Sequence, residues 1–172
     1  VTYEKGIWKI NDSIDVIQKY ARYYLSDDIN EFYNYTVEIN REYNPKYDLN
    51  KGLRQFANIY GKTYKYSNSL RISTMKTLVL LKANESNMIN CKSNIRSFEY
   101  TIIKDIIDIN NWKSIISASD LLIYFAELSP KCYLDFVNNL LAKEEVVKEL
   151  VNESEDGFFR QDYLSEIVSG LL

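Results

Sequence analysis

Between residues 44 and 84 the chain carries Lys46, Lys51, Arg54, Lys62, Lys65, Arg71, Lys76 and Lys82, against Asp48 as the sole acid. Tyr47, Tyr60, Tyr64 and Tyr66 are interleaved with them. Cations that neutralise phosphates beside rings that stack bases are the ingredients of a nucleic-acid groove, centred here on Lys51, Arg54, Lys62, Lys65 and Arg71. The same composition also describes a solvated charged face, or a patch that docks on acidic neighbours. The second possibility has a ready counterpart, because residues 127–172 carry ten acids against four bases. Arg71 has two readings of its own, a phosphate sensor or a side chain that bonds a neighbouring helix end or carboxylate.

Other reactive types are scarce or badly spaced. The chain has no histidine, which removes the commonest general base, metal ligand and pH sensor together. Cys91 and Cys132 lie far apart with no CxxC spacing, and read as reduced core residues. The acids Glu144, Glu145, Glu149, Glu153, Glu155 and Asp156 lack the glycine and spacing of a calcium loop, so they read as an exposed face. Asp27 and Asp28 are adjacent acids at a helix start, where capping and the helix dipole use them. No catalytic residue, metal site or cofactor is expected from these patterns.

The elements that position these groups read as helices. Apolar residues make up 46% of the 172, enough for a sizeable core, while five Gly and two Pro are too few for a sandwich or barrel. Ile14, Ile17, Ala21 and Leu25 predict a first helix, with Asp12 and Ser13 as caps. A second runs from Asp27-Asp28 through Ile29, Phe32, Tyr33, Val37 and Ile39 to Asn44-Pro45, although Tyr33, Tyr35, Val37 and Ile39 also alternate like a strand. Leu49, Leu53, Phe56, Ala57 and Tyr60 predict a third, stopped by a left-handed Gly61. Ser67 caps a fourth that holds Leu70, Thr74, Leu78 and Leu81. After a loop over 84–90, Ile95, Phe98, Ile102, Ile103, Ile106 and Ile107 predict a central helix packed on two sides.

Asn111 caps a predicted helix from Trp112 to Leu128, and Ser129-Pro130 opens another that carries Tyr133, Phe136, Val137, Leu140 and Leu141. Glu144 to Val151 reads as a short acidic helix, Asn152 to Gly157 as a loop, and Tyr163, Ile167, Val168 and Leu171 as a last stripe. The fold class that follows is all-α: one domain over 1–172, an antiparallel helical-repeat, α-solenoid-like array of about seven to nine helices. No apolar run reaches membrane-spanning length and the start shows no signal pattern, so a cytoplasmic chain without membrane contact is expected. The chain opens on Val1 and ends inside an apolar stripe at Leu172, as expected of a segment of a larger protein.

Three stretches carry a family resemblance. Residues 61–82, with Tyr66-Ser67, Leu70-Arg71 and Thr77-Leu78-Val79-Leu80-Leu81, resemble a block in the helical repeat region of large bacterial multidomain STAND-type NTPases. Asp120 to Leu141, with Ala126-Glu127, Ser129-Pro130 and Leu134-Asp135, is similar to the block that follows it there, and Trp112 stands where the intervening helix opens. Phe32 and Asn44-Pro45 match upstream positions, so the resemblance covers roughly residues 8–141. It implies a HEAT- or TPR-like array that senses or relays in anti-phage defence proteins. The chain has no GxxxxGK[ST] loop, so nucleotide hydrolysis is not carried over to it.

The expected function is a non-catalytic scaffold or recognition module for a partner protein or the parent's flanking domains. Its contact surfaces would be the concave face and the basic stretch, with Phe158-Phe159 as a contact hot spot or as packing between repeats. The alternative is nucleic-acid binding through the basic stretch.

Overall fold

The computed structural model describes residues 2–4, 7–9, 13–155, 163 and 167. Eight α-helices form among them: α1 (Ser13–Tyr20), α2 (Ser26–Asn40), α3 (Asn68–Ala83), α4 (Lys92–Ile106), α5 (Trp112–Ser117), α6 (Leu122–Leu128), α7 (Pro130–Leu141) and α8 (Glu144–Glu155). A short antiparallel ribbon precedes them, β1 (Thr2–Glu4) paired with β2 (Ile7–Lys9) in the register Tyr3 opposite Trp8. The fold class is all-α, as expected, and the ribbon is an addition that the helical reading did not include. Its signal was present in Thr2-Tyr3 and Ile7-Trp8, β-formers on either side of Lys5-Gly6.

The helices pack in two layers. α2, α4 and α7 lie side by side in one, since α4 touches both α2 and α7. In the other layer α3 packs on α6, and α5 packs on α8. Contacts of α2 with α3, α4 with α6, and α7 with α8 join the layers. α4 is central, as its sequence predicts, with Ile95, Phe98, Ile102, Ile103 and Ile106 buried. Tyr33 of α2 stacks on Phe98 at 4.0 Å between ring centroids, and its hydroxyl is satisfied by Thr101 and Asp105. Burial, and then the bond to Asp105, push the Tyr33 phenol well above its usual pKa. Tyr33 thus sits on a helix, which settles the strand-like alternation around it.

Several caps fall where the sequence puts them. Ser67 Oγ accepts from Leu70 N at 3.2 Å, Asn111 Oδ1 accepts from Lys113 N at 3.0 Å, and Asp28 accepts from Leu25 N at 3.2 Å. Gly61 is left-handed at φ 63°. Cys91 is buried with a thiol pushed up by burial, and Cys132 is half-buried; both are free.

Four boundaries depart from expectation. The first predicted helix ends early, since α1 stops at Tyr20 and a 3-10 turn follows over Ala21–Tyr23; Leu25 beyond it is exposed, as is Ile14 within α1. α2 stops at Asn40, and Asn44-Pro45 instead starts a 3-10 turn, Pro45–Asp48. The Ser129 hydroxyl makes no capping bond although Pro130 does open α7. α8 runs through to Glu155, so 152–155 is helix and not loop.

Two further corrections have clear physical causes. Residues 49–61 form no α-helix: Arg54 Nε donates to Leu49 O at 3.2 Å, and Lys51–Phe56 is 3-10. Bonds from Ile59 N to Phe56 O and from Tyr60 N to Ala57 O continue the three-residue spacing, and the turn closes with Lys62 N on Ala57 O at 2.8 Å. At that period Arg54 and Ala57 turn inward while Leu53, Phe56 and Ile59 form an exposed edge, Ile59 at 79%. The predicted Trp112–Leu128 helix is likewise broken at Ser117. Ser117 Oγ donates to Lys113 O and accepts from Asn44 N at 2.7 Å, and its carbonyl is taken by Arg71 and Tyr64. Ala118 O then accepts from Leu121 N in a 3-10 turn before α6.

Candidate recognition surface

The basic stretch is largely spent inside the molecule. Lys51 Nζ donates to Asn152 O at 2.9 Å and lies 3.9 Å from Glu153, whose carboxylate also pairs with Arg54. Lys62 pairs with Asp48 at 3.3 Å, Lys65 with Glu38 at 3.4 Å, and Lys82 with Glu85 at 2.6 Å. Lys76 lies 5.9 Å from the centre of the Tyr124 ring. The acidic helix α8 is therefore a docking partner of the basic 51–54 turn, the complementarity visible in the charge distribution of the sequence. Exposed pairs such as Lys65–Glu38 contribute little energy, but they hold cations in place.

Arg71 is 2% exposed and serves the helix-end role weighed for it. Its Nη2 donates to Ser117 O, at the C-terminus of α5, at 3.0 Å, and the guanidinium lies 4.2 Å from the Tyr64 ring centre. Among the four interleaved tyrosines, Tyr47 is buried against Trp112 and Arg54, Tyr64 is covered by Arg71, and the Tyr66 hydroxyl donates to Glu38 at 2.6 Å. Tyr60 is exposed. Phe158 and Phe159 lie outside the described residues.

Asp48 joins this region together. It accepts from Lys113 at 2.9 Å, Tyr43 at 3.1 Å and Lys62 at 3.3 Å. The Lys113 bond, followed by those of Tyr43 and Lys62, holds its carboxyl below the ordinary value of 3.8 despite some burial cost. A depressed acid stabilises the fold above its unfolded pKa and loses that contribution as pH falls through the folded one. The stability difference between wild type and Asp48→Asn is accordingly expected to persist at neutral pH and to vanish as the solution is acidified below about 3.8. Urea melts across pH 2 to 7 measure it, and a difference independent of pH would contradict the assignment.

An open trough of about 1290 Å³ lies elsewhere, across the helices of one layer. Its lining passes from Arg41 and Tyr43, just beyond α2, over the C-terminal half of α4 to α7. Sequence periodicity could not find it, because it is assembled from α4, α7 and the segment after α2, which are distant in the chain. Ile103, Ile106 and Phe136 give it an apolar floor. Arg41, Lys104 and Lys143 face Asp105, Asp108 and Asp135, so its charge is balanced. Exposed Asn138 and Asn139 add amides able both to donate and to accept.

Among the described residues no helix is long and apolar enough to cross a membrane. Comparison of the chain with protein-family models, with curated proteins and with solved structures returns no match.

Proposed function

We propose that this chain is a non-catalytic helical-repeat module that recognises an extended segment of a partner protein, or of its parent's flanking domains, in the trough between α4, α7 and the segment that follows α2. The observation that carries the reading is the trough itself, one surface shared by α4, α7 and the segment just beyond α2. Its volume exceeds the roughly 300–1,000 Å³ of ordinary small-molecule sites. The apolar floor, paired amides and balanced charge suit a peptide, whose backbone needs donors and acceptors alike and whose side chains carry both signs. The succession of α2, α4 and α7 in one layer, beside α3 and α6 in the other, supports a solenoid of helical pairs. The resemblance to the arrays of STAND-type NTPases suggests a sensor or relay role in a bacterial defence protein.

Nucleic-acid binding is the second reading, favoured by the density of cations over residues 44–84. The engagement of Lys51, Arg54, Lys62, Lys65 and Arg71 with groups of the chain itself weighs against it. Peptides selected from a displayed library on the wild-type chain are expected to lose at least about tenfold in affinity, near 1.4 kcal/mol, on Arg41→Glu/Lys104→Glu. They should bind Lys62→Glu/Lys65→Glu normally. If selected peptides ignore the trough variant, the trough reading fails. If short DNA or RNA binds with a steep salt dependence that Lys62→Glu/Lys65→Glu abolishes, the second reading replaces it.

A further inference from the structure

An open recess of about 300 Å³ lies between the 44–46 turn and residues 54–64. Nine residues line it; Lys46, Arg54 and Lys62 are cations and none is acidic. Asn58 and Thr63 add neutral polar groups to the wall. Arg54 and Lys62 spend part of their charge on Glu153 and Asp48, but Asp48 is also shared with Lys113.

Lys46 is different. It is half-buried and makes no ion pair among the described residues, and the ring of Tyr47 lies 4.9 Å from its ammonium. Burial, and then the neighbouring Arg54, lower its pKa, while the more distant Asp120 opposes them weakly. Behind the lining residue Tyr64 lies Arg71, which among the described residues has no hydrogen-bond partner at its buried Nε and no carboxylate in contact. Burying cations without counter-charge is costly. Among the described residues Lys46, Arg54, Lys62, Lys113 and Arg71 surround a region whose acids are Asp48, Glu153, Glu42 on the Lys65 N–H and, by its weaker influence on Lys46, Asp120.

We propose that this recess is an anion site that takes a single phosphoryl group, free or on a small monoester, through Lys46 and Lys62. The volume admits one such group with a small remainder, at the low end of the range for ligand pockets. A phosphoryl dianion offers three oxygens, so it can accept from both ammonium groups and from Asn58 or Thr63 together. The site is separate from the trough and does not depend on what binds there.

The test is a titration of the intact chain with sodium phosphate and, separately, glycerol phosphate, against sodium chloride at matched ionic strength. It is followed by backbone amide shifts and by melting temperature. Saturable shifts confined to residues 44–64, weakened at least tenfold by Lys46→Met and by Lys62→Met and unchanged in Lys65→Met, are the expected result. The tighter of the two ligands identifies free phosphate or a monoester. Without phosphate, Lys46→Met should melt no lower than wild type, because methionine keeps the stem on Tyr47 and removes an unneutralised charge. An invariant Arg41→Glu/Lys104→Glu response would separate this site from the trough. The proposal is overturned by the absence of saturable shifts, by equal binding to Lys46→Met, or by equal weakening in Lys65→Met, which would mean general surface attraction.

Discussion

Arg71→Ala is expected to lower the melting temperature by about 10 °C, from a loss near 3 kcal/mol at ~2–4 °C per kcal/mol for a chain of this size. The charged bond to Ser117 O contributes about 1.5–3 kcal/mol and the contact with the Tyr64 ring up to about 2. The unpartnered Nε and the cost of burying the guanidinium take some of this back, while the lost stem leaves a cavity. Because Tyr64 also donates to Ser117 O, at 3.3 Å, that carbonyl keeps one partner and the loss stays short of a full orphaning penalty. Arg71→Lys should recover only part, since an ammonium cannot both lie flat on the ring and reach the carbonyl as a guanidinium does. Calorimetry of the three proteins decides the matter. An alanine variant that melts with wild type would show that the clamp on α5 carries no net stability.

Phe125→Ala should cost about 3–5 kcal/mol, the usual range for emptying a fully buried aromatic site. Phe125 is 1% exposed on α6, the helix that packs on α3, α4 and α7 and so ties the two layers. A domain's whole stability is about 5–15 kcal/mol, so this one change removes a large share of it. Urea unfolding should show a lower midpoint with the slope preserved. A shift equivalent to under about 1 kcal/mol would mean that neighbouring side chains collapse into the space, and that α6 is not the tie described.

The helical character, the central place of α4, the opening of α3 after Ser67 and of α7 at Pro130, and the left-handed Gly61 were all legible in the sequence. Each is decided within a turn or two of chain: by a 3.6-residue apolar stripe, by a hydroxyl within reach of a free N–H, or by a residue without a Cβ. The opposition of a basic middle and an acidic C-terminal segment was legible too, and α8 against the 51–54 turn is where part of it is used.

Tertiary structure decided the rest. The apolar spacing of Leu49, Leu53, Phe56 and Tyr60 fits an α-helix, yet Arg54 captures the Leu49 carbonyl and a three-residue period turns Leu53 and Phe56 outward. The stretch from Trp112 to Leu128 fits one helix, yet Ser117 gives its carbonyl to Arg71 and Tyr64, which lie more than fifty residues away in Tyr64's case and forty-six in Arg71's. The cations of 44–84 resemble a groove until Glu38, Asp48 and Glu153 are brought against them. Composition and periodicity fix what each segment can do alone. Which carbonyl, carboxylate or cavity a side chain meets depends on residues tens of positions away, so the trough and the phosphoryl site became visible only when the two layers were packed together.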